Sequence, residues 1–205
     1  ELDDTPETYG KRKAACERVL AQNNAPYTCI RPALVYGPYD PTDRLYYWIY
    51  QCKKHDAMLL PEGGSRKFSI TYVKDLVKLI VASLNEPIES KTYNCISSPI
   101  ISIKEIVDEC VSVFKRSPTL HNVSAAFLKK QGISEWFDMP LWLQNDAFTF
   151  SNAAMLNDNG LQPTSLYNGL RETISYYNKK GYSIPSYGIG DNIKLELIKE
   201  FLKNE

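Results

Sequence analysis

The feature that most constrains this chain is the regular exchange of short β-rich runs with helical stretches along its 205 residues. Residues 9–23 place Ala14, Ala15, Val19 and Leu20 among charges at helical spacing, and residues 26–36 form a β-rich run closed by Gly37-Pro38. Leu45, Trp48, Ile49 and Cys52 again follow helical spacing, behind the opening at Pro41-Thr42-Asp43. Short strands are expected at 58–60 and 68–73, an apolar helix at 75–84 and a strand at 92–96. Ser102 and Glu105 have the spacing of a capping box ahead of Ile106, Val107, Cys110, Val111 and Phe114. A strand at 119–123, a short helix at 125–131 stopped by Gly132 and a long helix at 166–180 stopped by Gly181 continue the series. Strands alternating with helices of roughly 10 to 15 residues predict βαβ units around an open parallel sheet, so the fold class is α/β. Beyond Gly181 a turn-rich stretch at 182–192 leads to an amphipathic helix at 193–202, expected to dock on the body of its own chain.

Composition narrows what such a fold does. A hydrophobic fraction of 43% is enough for a core and excludes wholesale disorder. Lys and Arg number 24 and so do Asp and Glu, which removes the electrostatic footprint of a protein that holds nucleic acid or an anionic membrane. No run approaches the roughly 18 apolar residues of a membrane span, and the opening ELDDTPETYG has neither a basic nor an apolar leader, so a cytoplasmic setting is expected. Cys16, Cys29, Cys52, Cys95 and Cys110 form no C-x-x-C pair, and each sits in an apolar run; they read as buried, reduced thiols. With His55 and His121 alone, a histidine triad or zinc centre is poorly supplied and no metal is expected. A hydrolase is set aside for want of a G-x-S-x-G elbow.

Tyr9 and Lys13 are four residues apart on the first predicted helix, hence on one face. A phenol with a reference pKa near about 10 is a weak base at neutrality, but a neighbouring ammonium favours the phenolate, which makes the pair a candidate acid/base site. The spacing alone is unspecific, because Tyr50 with Lys54 and Tyr176 with Lys180 share it. Context separates them: only Tyr9 is followed by Gly10 and a helix leading directly into a strand that ends in Arg31-Pro32 and Val35-Tyr36-Gly37-Pro38. Plainer roles compete at several positions. Pro32 and Gly37 serve as strand terminators, Arg66 as a solvated loop charge, Trp136 and Trp142 as loop anchors, and Asp75 as a helix cap.

Taken in order, these pieces resemble the extended short-chain dehydrogenase/reductase superfamily, the NAD-dependent epimerase/dehydratase group, from its catalytic helix onward. The resemblance covers residues 9–181. It is carried by Tyr9-Gly10-Lys11-Arg12-Lys13, the strand through Arg31-Pro32 to Pro38, residues 70–75 ahead of an apolar helix, Tyr93-Asn94-Cys95 with Ser97, and residues 161–164 with 169–177. Residues 40–44 and 127–142 look more narrowly like a bacterial reductase-type branch. What the resemblance implies is the C-terminal part of a Rossmann-like parallel sheet plus a small substrate-binding lobe. It also implies that Tyr9 moves a proton at a substrate hydroxyl or carbonyl while hydride moves to or from a nicotinamide, with Lys13 holding the ribose. Pro32 and Val35 would then lie against the nicotinamide, and Arg66 would meet an anionic part of the substrate. The family's Arg is commonly followed by an acid and an aromatic; Arg66-Lys67-Phe68 departs from that and counts against a nucleotide-sugar substrate.

A dinucleotide site needs a glycine-rich turn between a strand and the helix it feeds. None of the ten glycines is so placed, and only Thr5 and Thr8 precede Tyr9 where the family carries a Ser or Thr. The expectation is that residues 1–181 are the C-terminal part of an epimerase/dehydratase-like domain without its dinucleotide-binding half, followed by a linker and terminal helix at 182–205. The parent is expected to use NAD or NADP, and this isolated chain to bind neither and to be inactive. Expected partners are a carbohydrate-like small molecule and, through an unpaired sheet edge, a homo-oligomer, with neither membrane nor nucleic acid. The competing reading is a non-catalytic sensor or RNA-associated module on the same scaffold.

Overall fold

The computed structural model describes residues 3–23, 25–85, 90–144 and 148–203. Along the chain lie α1 (Tyr9–Gln22), β1 (Thr28–Pro32), β2 (Leu34–Tyr36), α2 (Arg44–Lys54), β3 (Ala57–Pro61), β4 (Lys67–Tyr72), α3 (Val73–Asn85), β5 (Lys91–Cys95) and β6 (Ser98–Ser102). These are followed by α4 (Ile103–Phe114), β7 (Thr119–Val123), α5 (Ala125–Lys130), α6 (Ala153–Asn159), α7 (Leu166–Lys180) and α8 (Asp191–Lys203). Parallel pairs join β1 to β5, β2 to β4 and β3 to β7, while β6 runs antiparallel to β4 with a register shift between Phe68 and Ile70. The class is α/β as expected, but the strands form three small sheets where one open sheet was predicted.

The run at 26–36 splits in two for a local reason. Pro32 ends β1 without an N–H to donate, and the Ala33 N–H goes to Thr71 Oγ1 at 2.9 Å instead of continuing a ladder. β1 therefore serves β5, and β2, one residue later, serves β4. At α4 the predicted cap forms, with a twist in its geometry. Ser102 Oγ accepts from the Glu105 N–H and donates to Glu105 Oε2 at 2.6 Å, so the carboxylate takes the hydroxyl.

The main core gathers Trp48, Ile49 and Cys52 of α2, Leu59 and Leu60 of β3, Phe68 and Ile70 of β4, Ile106 and Val107 of α4, and Leu170 and Ile174 of α7. A smaller cluster of Leu79, Tyr93, Cys95 and Met155 sits under α3, β5 and α6. The terminal helix α8 buries Leu197 and Ile198, and Phe201 meets the rings of Phe127 and His121. By contrast α1 buries no residue, and its tie to β1 is the two-pronged ion pair of Arg31 with Glu17. This corrects the reading of Cys16, which is exposed because α1 turns no face to the core; the other four thiols are buried. No helix among the described residues is long and apolar enough to cross a membrane.

Candidate functional site

On α1, Tyr9 is 58% exposed and Lys13 Nζ lies 5.6 Å from its ring centroid, as the four-residue spacing requires. Among the described residues neither side chain makes a hydrogen bond or an ion pair, so both polar ends are open to a ligand. Pro32 is exposed at the end of β1. Val35 is half-buried in the middle of β2, paired in register with Thr71.

Val35 also lines a shallow recess that encloses about 10 Å³ and opens to solvent, with Tyr36, Thr42, Arg44, Ile70 and Leu141 among the other walls. Tyr9, Lys13, Pro32 and Arg66 are not among those walls. The turn that enters α2 shapes one side. Asp40 Oδ1 accepts from the N–H and the hydroxyl of Thr42, both at 2.8 Å, and Asp43 takes a left-handed φ of 54°. Burial pushes the Asp40 carboxyl up, against the hydrogen bonds from Thr42. The opposite side comes from the loop at 134–142, where Trp136 and Leu141 hold φ values of 70° and 66°. Such angles in non-glycine residues persist only where neighbours enforce them. Here Trp48 Nε1 donates to the Pro140 carbonyl at 2.8 Å and Trp142 Nε1 to Glu62 Oε2 at 3.0 Å. The loop-anchor role expected of Trp142 is thus realised by a wholly buried indole.

Arg66 meets Glu62 in a forked ion pair, Nε to Oε2 and Nη2 to Oε1, each 3.1 Å. Those bonds, with the one from Trp142, hold the Glu62 carboxyl below its usual range. Arg66 and Glu62 therefore brace the loop that carries Trp136 and Leu141, a link that pattern-reading of Arg66 alone did not supply. Asp75 also departs from its expected role. It is the third residue of α3 and 4% exposed, and it is not a cap. It accepts from Ser97 Oγ, the Thr164 N–H and Thr164 Oγ1, each at 2.7 Å, and so ties three chain segments together.

Arg44 is the residue of this region that sequence reasoning did not single out. It opens α2, and its guanidinium lies 4.4 Å from the Trp136 ring and 5.0 Å from the Tyr187 ring. Its signal in the sequence was a cation directly behind the Pro41-Thr42-Asp43 turn; its aromatic partners are too distant along the chain to be inferred.

Residues 2–95 match the model of the NAD dependent epimerase/dehydratase family. That match covers a little under half of the chain. A curated relative, "NADH dehydrogenase [ubiquinone] 1 alpha subcomplex subunit 9, mitochondrial" of Arabidopsis thaliana, is 28% identical over 116 residues, 56% of this chain and 28% of that protein. Among solved structures, UDP-glucuronic acid 4-epimerase from Bacillus cereus in complex with NAD superposes with a TM-score of 0.62 at 18% identity, over 89% of this chain and 55% of that one. The dTDP-glucose 4,6-dehydratase from Bacillus anthracis in complex with NAD gives 0.64 at 17% identity, over 87% and 53%. The chain thus has the epimerase/dehydratase fold and spans just over half the length of those enzymes, and a little over a quarter of the plant subunit.

The described residues fit NAD at one end. Open polar groups on Tyr9 and Lys13 suit the ribose and reacting side of a nicotinamide nucleotide. The pyrophosphate end lacks its turn: Gly63 and Gly64, both at positive φ, stand between β3 and β4 instead of opening a helix, and a Cβ on Gly64 would lie 2.9 Å from the Lys104 backbone nitrogen.

Proposed function

We propose that this chain is the catalytic-helix and substrate-lobe portion of an NAD(P)-dependent oxidoreductase or epimerase/dehydratase. The observation that carries the reading is the Tyr9–Lys13 pair, close together on one helix face with no competing partner among the described residues. NAD or NADP, when bound, supplies the hydride acceptor or donor. Tyr9 Oη takes or gives the proton at the substrate's hydroxyl or carbonyl oxygen, and the Lys13 ammonium holds the adjacent ribose. Pro32 and Val35 would lie against the nicotinamide. Arg66 is the cation of the substrate lobe, where an anionic ligand competes with Glu62 for the guanidinium. The substrate is a small carbohydrate-like molecule, in keeping with neighbours crystallised as sugar-nucleotide enzymes. With no turn for the pyrophosphate, the isolated chain is inactive and binds neither nucleotide tightly.

Replacing Tyr9 by Phe in the longest form of the protein that binds NAD tests this. Turnover followed through NADH absorbance should fall by about 10²–10⁴-fold while NAD affinity stays. Unchanged turnover sinks the reading. A second reading, a non-catalytic module on the same scaffold, draws support from the likeness to a subunit of a plant NADH dehydrogenase; under it the Phe variant behaves as the unaltered protein does.

A further inference from the structure

We infer that Arg44 is an oxyanion-binding residue and that the segment ahead of α8 builds its site. Trp136 and Tyr187 cover the guanidinium from two distant parts of the chain. Its Nε is buried and has no hydrogen-bond partner, and Arg44 makes no ion pair among the described residues. The neighbouring carboxylates are engaged elsewhere: Asp40 with Thr42, and Asp43 with the N–H and hydroxyl of Ser186 at 3.1 and 3.0 Å. Cation–π contacts occupy the flat surfaces of a guanidinium and leave its in-plane N–H donors to a ligand. A buried donor without a partner is costly, and a charge-assisted bond from carboxylate or phosphate is the strongest remedy available to it. The apolar walls of the recess, Val35, Ile70 and Leu141, strengthen that attraction by excluding water.

The strap at 186–189 is fixed too firmly to be an incidental cover. Tyr187 stacks on Phe137 at 5.9 Å, and the N–H groups of Gly188 and Ile189 donate to the carbonyls of Phe137 and Asp138, both at 2.9 Å. Gly188 has a φ of +91°, and a Cβ there would stand 2.3 Å from the Tyr47 ring, so only glycine lets the strap lie this close to α2. Tyr187 is accordingly a positioning residue for Arg44. The inference deepens the substrate side of the reading above, yet anion binding is measured without any nicotinamide nucleotide, so either can fail alone.

The test titrates the 205-residue chain with inorganic phosphate, UDP and glucuronate, reading thermal stabilisation and calorimetric heat. At least one should bind saturably. Binding of phosphate and UDP without glucuronate identifies a phosphate site, and the reverse a carboxylate site. Arg44→Met should weaken binding by about tenfold or more, with Arg44→Lys between it and the unaltered chain because the forked geometry is lost while charge remains. Arg171→Met, which removes an exposed guanidinium bonded to Tyr167, should leave it unchanged. Tyr187→Ala should weaken binding with Arg44 intact. No saturable binding by the folded chain, or equal affinity in Arg44→Met, overturns the inference. If Arg44→Met does not fold, full affinity in both Arg44→Lys and Tyr187→Ala does the same.

Discussion

Asp75 shows how far a residue's role can lie from its local pattern. A carboxylate near the start of a helix reads as a cap, yet its partners Ser97 and Thr164 are 22 and 89 residues away. Burial raises its pKa, but the bonds from Ser97 and Thr164, with Lys78 beside them, outweigh that and leave it below the ordinary carboxylate value. Since the folded pKa is the lower one, Asp75 contributes stability that is fully present above the unfolded value and is lost as pH falls through the folded one. Asp75→Ala should cost about 2 to 4 kcal/mol, because Ser97 and Thr164 keep buried groups without a partner. Urea unfolding at neutral pH and in acid would show it: the gap between the two proteins should narrow as pH drops. Tyr9 and Lys13 were legible for the opposite reason, since their relation spans one helical turn. Arg44, like Asp75, depends on contacts made across the fold, and no local signal announces its two aromatic neighbours.

At the level of elements the strongly periodic helices and β-rich runs were legible within a residue or two, and α7 matches its expected bounds. The misses have physical causes. β6 is a short strand containing Pro99, recruited antiparallel by β4, and α6 is two turns long with Met155 as its buried residue. The docking of α8 brings together groups that no period reveals. Asp191 Oδ1 lies 2.9 Å from His55 Nε2 and 3.3 Å from Lys194 Nζ, and Lys194, almost wholly buried, donates to Gln51 Oε1 at 2.8 Å. Around His55 stand Asp191 and Lys194 of α8, Asp56 just beyond it and the Tyr50 ring of α2. Burial, aided by the Lys194 charge, lowers the His55 pKa against the pull of Asp191. A histidine with a lowered folded pKa binds its proton first in the unfolded chain, so stability falls as pH drops below about 6.5, by at most about 1.4 kcal/mol per unit. Thermal melts from about pH 7.5 to pH 5 should therefore decline less steeply for His55→Gln than for the unaltered chain. Parallel slopes would mean that His55 does not couple acid to the docking of α8.

For the whole molecule, neutral charge and a sufficient core were legible from composition, whereas the division of the strands into three sheets was not. One consequence of that division concerns the side of the molecule around β1. Its ladder to β5 occupies one edge, and among the described residues no strand pairs with the other. Beside it, α1 leaves Val19 and Leu20 exposed, and α3 leaves Val77, Ile80, Val81 and Leu84 exposed at 53%, 43%, 51% and 79%. The four on α3 are spaced as one helical stripe. An open strand edge next to an uncovered apolar stripe predicts a surface that pairs with other chains. Sedimentation of the purified chain over a wide concentration range should show reversible association, weakened by salt no more than by dilution because the contact is apolar. Val81→Lys with Leu84→Lys should shift the chain to monomer while leaving the far-ultraviolet signal of its helices in place, since both side chains already face solvent. A chain that stays monomeric into the hundreds of micromolar, or a double variant that associates as readily as its parent, would show that the stripe is tolerated exposure and that α3 is held by its contacts within the chain, with β1, β4, β5 and α6.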